Sequence, residues 1–270
     1  MTGLVQLDIA DGIAVVTFDN PPRGYMNAAQ VAELAPIIDQ LEADDAVRVV
    51  IFTGGVPGVF VRHYDVAEII AVANMIKDSG RSEAELMAAG ARGNAISAVF
   101  DKVDRMPKPT IAAINGFVQG GGFEFALCCD IRVAERGDYR IGLPETNIGI
   151  FPGAGGTERL PRVIGEAKAL DLILRGRTVG PDDALALGMV HEVVASALVR
   201  AHEIAREFVA MPARGIAEAK ALVKRTMEKS LDDACATGRG RFSTLIAQDA
   251  ESVAAMQRFL DDGEDINKRG

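Results

Sequence analysis

The most chemically suggestive stretch of the sequence is a glycine triplet, Gly120–Gly122, followed closely by the acid Glu124. An apolar run at residues 111–114 precedes it, so we predict a strand, a turn and then a short helix. The first amides of a helix have no partner inside it and carry the positive end of its dipole. Gly121 and Gly122 can therefore present N–H groups to a developing oxyanion, because glycine lets a ligand approach the backbone closely. The alternative is that the triplet only permits tight helix–strand packing.

Glu124 is flanked by Phe123 and Phe125, which predicts apolar surroundings for its carboxyl group. Burial raises the pKa of a carboxyl group and so suits it to proton transfer near neutral pH. The alternative is structural, because an acid in the first turn of a helix is favoured by the helix dipole whatever its chemistry. The motif alone leaves both interpretations open.

A second acid, Glu145, lies 21 positions further along, in a segment rich in glycine and proline. Pro144 and the residues after Glu145 predict a loop, where a solvated charge or a cap is the default interpretation. Two carboxyl groups that flank one small substrate can nevertheless divide the roles of acid and base when their surroundings separate their pKa values. Glu124 and Glu145 are therefore the candidate catalytic pair.

The elements that would hold these acids alternate between strands and helices. Alternating apolar residues predict a hairpin at residues 4–18. Short apolar runs predict further strands at residues 47–52, 110–114, 131–133 and 189–194. Helical spacing predicts helices at residues 28–41, from about 66, and over 83–103, with Pro36 kinking or shortening the first. We predict an α/β core over residues 1–195 and a helical segment over residues 196–270.

The composition limits the class of protein and its partners. The chain has 270 residues and carries 29 Lys and Arg against 38 Asp and Glu, for a net charge of −9. This acidic balance, without a long basic run, argues against nucleic acid as a partner. No stretch reaches the roughly 18 uninterrupted apolar residues of a membrane span, so we expect no membrane association and a cytoplasmic protein. Three cysteines, two of them adjacent, predict no disulfide framework and a reducing compartment.

Two motifs taken together resemble one known family. IAAINGFVQGGGFEFALCCD at residues 111–130 and LPETNIGIFPGAGGTERLPRVIG at residues 143–165 are similar to the signature half of the crotonase (enoyl-CoA hydratase/isomerase) superfamily. The similarity extends over roughly residues 3 to 260. It implies an α/β fold, a crotonase-like spiral of ββα units with a C-terminal helical trimerisation segment, assembled as a homotrimer or homohexamer. It also implies that Gly121 supplies an oxyanion-hole amide and that Glu124 and Glu145 are the two catalytic glutamates.

Two segments depart from the family pattern. Phe60–Asp65 matches the family's F-x-x-G-x-D stretch, but His63 replaces the glycine and Tyr64 the small residue whose amide is the other oxyanion donor. Asn20–Ala28 carries one residue more than the common spacing before Asn-Ala. Both segments contact the CoA moiety in the family. The substrate-binding candidates are Arg23, Arg62, His63, Gly120 and Gly122. If the turn imposes a left-handed backbone, histidine accepts it at some cost in strain, and its imidazole is either a harmless substitution or recruited to the pocket.

The resemblance implies an enoyl-CoA hydratase, which adds water reversibly across the C2–C3 double bond of a trans-2-enoyl-CoA thioester. The partner is then the acyl-CoA substrate; coenzyme A is part of that substrate, and no metal or other cofactor is required. Two alternatives stay open: an isomerase that shifts the double bond with one glutamate, and a non-catalytic acyl-CoA binding protein. Other classes lack their motifs, since the sequence contains no GxSxG elbow, HExxH zinc motif or complete GxGxxG nucleotide motif.

Overall fold

The chain is organised around two sheets of mostly parallel strands. A computed structural model describes residues 3–225 and 228–261. The strands in these ranges are β1 (Val5–Ala10), β2 (Ile13–Phe18), β3 (Val49–Gly54), β4 (Val59–Val61), β5 (Thr110–Ile114), β6 (Phe117–Gln119), β7 (Ile131–Glu135), β8 (Ile141–Gly142), β9 (Thr178–Val179) and β10 (Glu192–Val194).

Helices connect the strands and form the C-terminal part of the chain. They are α1 (Ala28–Ala43), α2 (Val66–Asp78), α3 (Glu83–Ala91), α4 (Ala95–Arg105), α5 (Gly121–Cys128), α6 (Gly156–Ile164), α7 (Glu166–Leu174), α8 (Pro181–Leu187), α9 (Ala197–Val209), α10 (Ala213–Arg225), α11 (Leu231–Gln248) and α12 (Ala250–Asp261). One 3₁₀ turn, Glu145–Ile148, precedes α6. Within the described part of the chain, no helix is both long enough and apolar enough to cross a membrane.

The two sheets grow together along the chain. The larger has the strand order β1-β2-β3-β5-β7-β10 and the smaller β4-β6-β8-β9. Antiparallel pairing is limited to the predicted hairpin of β1 with β2 and to β8 with β9. A strand of the larger sheet is followed by one of the smaller sheet and then by helix, as in β5-β6-α5, and the next unit adds β7 and β8 alongside. The fold is therefore the spiral of ββα units that the resemblance implied.

Alternate residues of the central strands serve two different hydrophobic layers, because successive side chains of a strand point to opposite faces. In β3, Val50 and Phe52 belong to the main core between the sheets. Val49 and Ile51 face the other way and pack with Ile204 and neighbouring small residues of α9. The C-terminal segment predicted from residue 196 therefore begins with a helix that covers the larger sheet. As far as they are described, α10, α11 and α12 contain no buried residue.

Three local predictions differ from the structure. The single helix predicted over residues 83–103 is wrong, because the chain breaks at Gly93, whose φ is +77°. Asn94 then begins α4 with a capping box, accepting from the Ser97 amide. The first helix continues about two turns beyond Pro36 and is not shortened there. The strand predicted at 189–194 is confined to β10.

Candidate active site

The glycine triplet forms the junction between β6 and α5. Gly120 has φ +48° and ψ −130°, a backbone conformation that glycine adopts without steric cost. Gly122 has no room for a side chain, since an added Cβ would lie 2.1 Å from the Val61 carbonyl oxygen. Both sequence-based interpretations of the triplet are thus compatible with the structure, because the helix packs tightly on β4 and its first amides begin at Gly121.

The direction of the Tyr64 amide follows from the pairing of its neighbours. The Met26 amide donates to the His63 carbonyl at 2.9 Å, and the Asp65 amide donates to the Met26 carbonyl at 2.8 Å. Backbone groups of an extended chain alternate sides, so the Tyr64 N–H points away from Met26. On that opposite side, the Gln119 amide donates to the Arg62 carbonyl at 3.0 Å. The Tyr64 amide therefore faces the end of β6 and the start of α5.

The Tyr64 and Gly121 amides lie close together. A Cβ added to Gly121 would be 3.5 Å from the Tyr64 nitrogen and 3.2 Å from its Cβ. Neither amide donates a hydrogen bond to any part of the chain within residues 3–225 and 228–261. Two neighbouring N–H groups without protein partners are the arrangement that an oxyanion hole requires.

Glu124 is anchored in a buried position in the first turn of α5. Its residue is 3% exposed. Its carboxylate Oε1 accepts hydrogen bonds from the amides of Ala154 and Gly156, both at 2.8 Å. Burial raises the pKa of Glu124 above its ordinary value, while these two amides lower it. The carboxyl group is thus oriented by two donors in surroundings that favour proton exchange.

Glu145 occupies a different environment, although it lies in the same cavity. It begins the 3₁₀ turn instead of lying in a solvated loop. Its Oε2 is buried and has no hydrogen-bond partner among the described residues, and its Oε1 lies over Gly120. Burial and, to a lesser extent, the charge of Glu124 raise the pKa of Glu145 to about 7. The group is poised to hold or release a proton near neutral pH.

A cavity of about 620 Å³ contains both glutamates. Its floor includes Gly120 and Gly121, and its walls are mainly apolar. The apolar lining comes from α2, α4 and the segment after Glu145, with Val66, Ile69, Val72, Ile96, Phe100, Ile148, Ile150 and Phe151. A volume of this size and a largely apolar wall with a few convergent polar groups are typical of a small-molecule site.

A second cavity, of about 740 Å³, lies on the other side of α6 and α4. It is lined by charged residues, among which Arg159 pairs with Asp101 at 2.9 Å and Lys220 with Asp130 at 2.7 Å. Neither Glu124 nor Glu145 contributes to its lining. The smaller cavity is therefore the candidate active site, despite the greater volume of the charged one.

The two segments that depart from the family pattern contact each other. The imidazole of His63 lines the cavity and stacks on Tyr25, with ring centroids 4.3 Å apart. The Arg23 guanidinium lies 5.7 Å from the centre of the Tyr25 ring. His63 does not need a left-handed backbone, since Asp11 is the only non-glycine residue with positive φ in the described chain. The expected strain at His63 is absent.

The remaining substrate-binding candidates lie outside the cavity wall. Arg23, Arg62 and Gly122 are not among the described residues that line it. Arg62 stacks on Phe117, with its guanidinium carbon 4.6 Å from the ring centre. Gly122 packs against Val61, as described above. A role for these three residues in binding CoA stays a prediction, and for the two arginines it concerns a part of the ligand beyond the cavity.

The side chain of Tyr64 adds a polar pair to the cavity. Its hydroxyl donates to Glu68 Oε2 at 2.7 Å, and the same oxygen accepts the Ala28 amide at 2.8 Å. Burial, together with the hydrogen bond to Glu68, raises the pKa of the Tyr64 phenol. The phenol is therefore neutral at physiological pH and holds α2 against the start of α1.

The sequence did not indicate the partners of Glu124. The Ala154 and Gly156 amides belong to the glycine-rich stretch Gly153–Gly156, which was examined only as an incomplete nucleotide motif. Its position directly before an amphipathic helix was an available signal, because the first amides of a helix attract carboxylates.

Comparisons with known proteins agree with this geometry. The family model described as enoyl-CoA hydratase/isomerase matches residues 8–266. The short-chain-enoyl-CoA hydratase of Clostridium acetobutylicum is 33% identical over 252 residues, covering 92% of this chain and 91% of its own. The fatty acid oxidation complex subunit alpha of Idiomarina loihiensis is 36% identical over 193 residues, or 70% of this chain, but the match spans only 26% of that protein.

The structural comparison covers nearly the whole chain. The crystal structure of an enoyl-CoA hydratase from Bacillus anthracis has a TM-score of 0.83 and 28% sequence identity. The match includes 99% of this chain and 100% of that one. Sequence and structure together show that the chain belongs to the enoyl-CoA hydratase/isomerase family.

Proposed function

We propose that this protein is an enoyl-CoA hydratase that adds water reversibly across the C2–C3 double bond of a trans-2-enoyl-CoA. The relatives named as enoyl-CoA hydratases support this activity. The observation that carries the mechanism is the convergence, in one cavity, of two differently placed glutamates and two neighbouring amides without protein partners. The proposal needs no metal or additional cofactor, because coenzyme A belongs to the substrate.

In the hydration direction, Glu124 accepts a proton from the attacking water while its oxygen forms the bond to C3. The π electrons of the double bond move toward the thioester, whose oxygen takes up negative charge between the Tyr64 and Gly121 amides. Glu145 then gives its proton to C2, which leaves Glu124 protonated and Glu145 ionised. Return of the proton from Glu124 to Glu145 through solvent completes the cycle, so no net proton is consumed.

The different environments of the acids support this division of roles. Two amide donors favour the ionised form of Glu124, which is the form a base must have. Glu145 has a pKa of about 7 and a buried oxygen without a partner, which favours the protonated form that an acid must have. In the reverse reaction, each group exchanges its role.

A direct assay tests the activity. Loss of the conjugated enoyl absorbance is followed with crotonyl-CoA and with longer trans-2-enoyl-CoA thioesters, and the 3-hydroxyacyl product is identified by mass. We expect water addition and a product 18 Da heavier than the substrate. Binding of all of these thioesters without turnover would instead identify a non-catalytic acyl-CoA binding protein.

The isomerase alternative gives a different result in the same assay. A 3-enoyl-CoA substrate would gain the conjugated absorbance without any change in mass, and one glutamate would be enough for the proton shuttle. Rapid isomerisation with no hydration of crotonyl-CoA would replace the proposed function. The two glutamates in one cavity favour hydration, because water addition uses an acid and a base together.

We also propose that the protein assembles as a homotrimer or homohexamer through its C-terminal helices. Large apolar side chains of α10–α12 are exposed in the single chain. They include Val223, Leu231, Phe242, Ile246, Val253, Met256 and Leu260. Leu222 and Val223 were predicted to contact the core or a neighbouring subunit, whereas the third such residue, Met227, lies outside the described residues. Light scattering that gave the 28.6 kDa monomer mass at micromolar concentration would contradict assembly.

A cytoplasmic location is proposed from the chemistry of the cysteines. Cys128 and Cys129 are buried and Cys235 is exposed, and all three are free thiols. Exposed free thiols persist in reducing compartments. Fractionation of cells that express a tagged protein checks this location, and recovery in an oxidising compartment would overturn it.

A further inference from the structure

Arg159 on α6 lies behind Glu124 and does not line the cavity that holds the two glutamates. Its guanidinium is largely buried, with 16% of the side chain exposed. One nitrogen donates to the Asp101 carboxylate on α4 at 2.9 Å, and the Asp104 carboxylate lies 4.0 Å from another. The guanidinium is thus fixed from one side by an acidic pair on a neighbouring helix.

The same guanidinium reaches the turn that holds Glu124. Arg159 Nη1 donates to the Ala154 carbonyl oxygen at 3.1 Å. This carbonyl lies in the chain between the two amides, of Ala154 and Gly156, that donate to Glu124 Oε1. Gly155 between them has φ +99°, which brings two alternate amides to one acceptor. The position of both donors therefore depends on a turn whose middle carbonyl is held by Arg159.

The chemistry of the proposed reaction does not account for this contact. Arg159 touches neither the cavity nor the reacting atoms, and a surface ion pair alone would not need its aim at the Ala154 carbonyl. Charged groups around Glu124 also include Glu158 and Glu145, which both oppose its ionisation. The positive charge of Arg159 is the one that favours it.

We propose that Arg159 is a positioning residue for the hydratase reaction, which holds the turn Ala154–Gly156 so that its two amides orient Glu124 as the base. The Asp101 and Asp104 carboxylates hold Arg159 in turn. Asp101 follows Phe100, whose ring lines the cavity, so α4 connects the apolar wall to the base through this arginine. This inference rests on the proposed function, because it assigns the support of one catalytic group.

The decisive variant is Arg159→Gln, studied in the full-length protein. Loss of the charge and of the fork raises the pKa of Glu124, so the acid limb of the kcat profile moves to higher pH by about one unit. On that limb kcat falls about tenfold, while KM for crotonyl-CoA changes less than about threefold, because no contact with the substrate is lost. Arg162→Gln is the matched control: it removes an exposed arginine from the same helix and should leave the profile unchanged.

Two further variants separate charge from geometry. Arg159→Lys keeps the charge but not the two-sided fork, so the acid limb should stay near its wild-type position while kcat recovers only in part. Asp101→Asn, at a side chain that is 47% exposed, should give a smaller shift in the same direction and should fold. It serves as the test if Arg159→Gln does not fold, as judged by circular dichroism.

A titration that needs no turnover keeps this inference distinct from the proposed function. The side-chain carboxyl carbon of Glu124 is followed by ¹³C NMR and assigned by its absence in Glu124→Gln. We expect its titration midpoint to rise in Arg159→Gln and to stay fixed in Arg162→Gln. An unchanged midpoint in Arg159→Gln, or in Asp101→Asn if the former is unfolded, overturns the role of Arg159. An inactive wild type would overturn the hydratase proposal, whereas the titration would still report on the turn.

Discussion

The start of α5 and the 3₁₀ turn Glu145–Ile148 each bring one acid into the cavity, and they do so in opposite ways. At the start of α5, Glu124 is 3% exposed and one of its oxygens accepts two amide hydrogen bonds. In the 3₁₀ turn, Glu145 has a buried oxygen without a partner among the described residues. One region stabilises a carboxylate and the other leaves a carboxyl group unsatisfied.

This difference shows how identical residues acquire different tasks. Burial raises the pKa of both groups, but amide donors oppose the rise for Glu124 at two points. For Glu145, the charge of Glu124 adds to burial and brings the pKa to about 7. Surroundings that separate two titrating carboxyl groups define the base and the acid. The predictions below remove one side of this comparison at a time.

The largest effect is expected from Glu124→Gln and Glu145→Gln. Each change keeps the size of the side chain and removes proton transfer, so kcat should fall by about 10²- to 10⁴-fold while thioester binding is largely kept. Steady-state kinetics and calorimetric binding of a non-reactive thioester measure the two effects. Glu166→Gln, at an exposed acid in the first turn of α7, is the control. Near-normal turnover in either active-site variant would refute the two-glutamate mechanism.

The next effect concerns the pH dependence of the two directions of reaction. Glu145 must be protonated for hydration, so kcat/KM for crotonyl-CoA should fall about tenfold per pH unit above about pH 7. Dehydration of the 3-hydroxyacyl-CoA needs ionised Glu145, so its rate should rise through the same pH range. Profiles in both directions are measured with one enzyme preparation. Parallel profiles that both rise or both fall near pH 7 would be inconsistent with this assignment.

The sequence predicted the acids more readily than their environments. Glu124 and the glycines are neighbours in the chain, and the long buried strands have clear apolar patterns. The strands β4, β6, β8 and β9 have only two or three residues, too few for a recognisable period. The donors to Glu124 lie 30 and 32 positions away and meet it only in the folded chain. The contact between Tyr25 and His63 likewise joins two segments whose departures looked unrelated in the sequence.

A smaller effect is expected on stability when the unsatisfied acid is replaced. The folded-state pKa of Glu145 is raised from 4.5 to about 7, so its protonated form is favoured in the native state. Its contribution is fully present below about pH 4.5 and is lost as the pH rises through about 7. Glu145→Gln should therefore match the wild type near pH 4.5 and be more stable at pH 8, by about 1–3 kcal/mol. Thermal unfolding at equal protein concentration measures the difference. A variant that is less stable at pH 8 would contradict the unpaired environment.

The smallest effect is expected at the segment that faces both acids, where His63 replaces the glycine of the family pattern. His63 Nδ1 lies 2.7 Å from the Tyr64 carbonyl oxygen, and the ring stacks on Tyr25 at the cavity wall. Its backbone has no positive φ that glycine would relieve, and the direction of the Tyr64 amide is set by the pairing with Met26. His63→Gly should therefore leave kcat within a few-fold of the wild type, because the oxyanion donors stay in place. Any change should appear in KM, since the stack of Arg23, Tyr25 and His63 is lost at the wall. The comparison variant is Tyr25→Leu, which removes the same stack without touching the segment before Tyr64, and it should reproduce that change in KM. A loss of 100-fold or more in kcat for His63→Gly in a folded protein, equivalent to about 2.7 kcal/mol of transition-state stabilisation, would show that the imidazole takes part in the reaction.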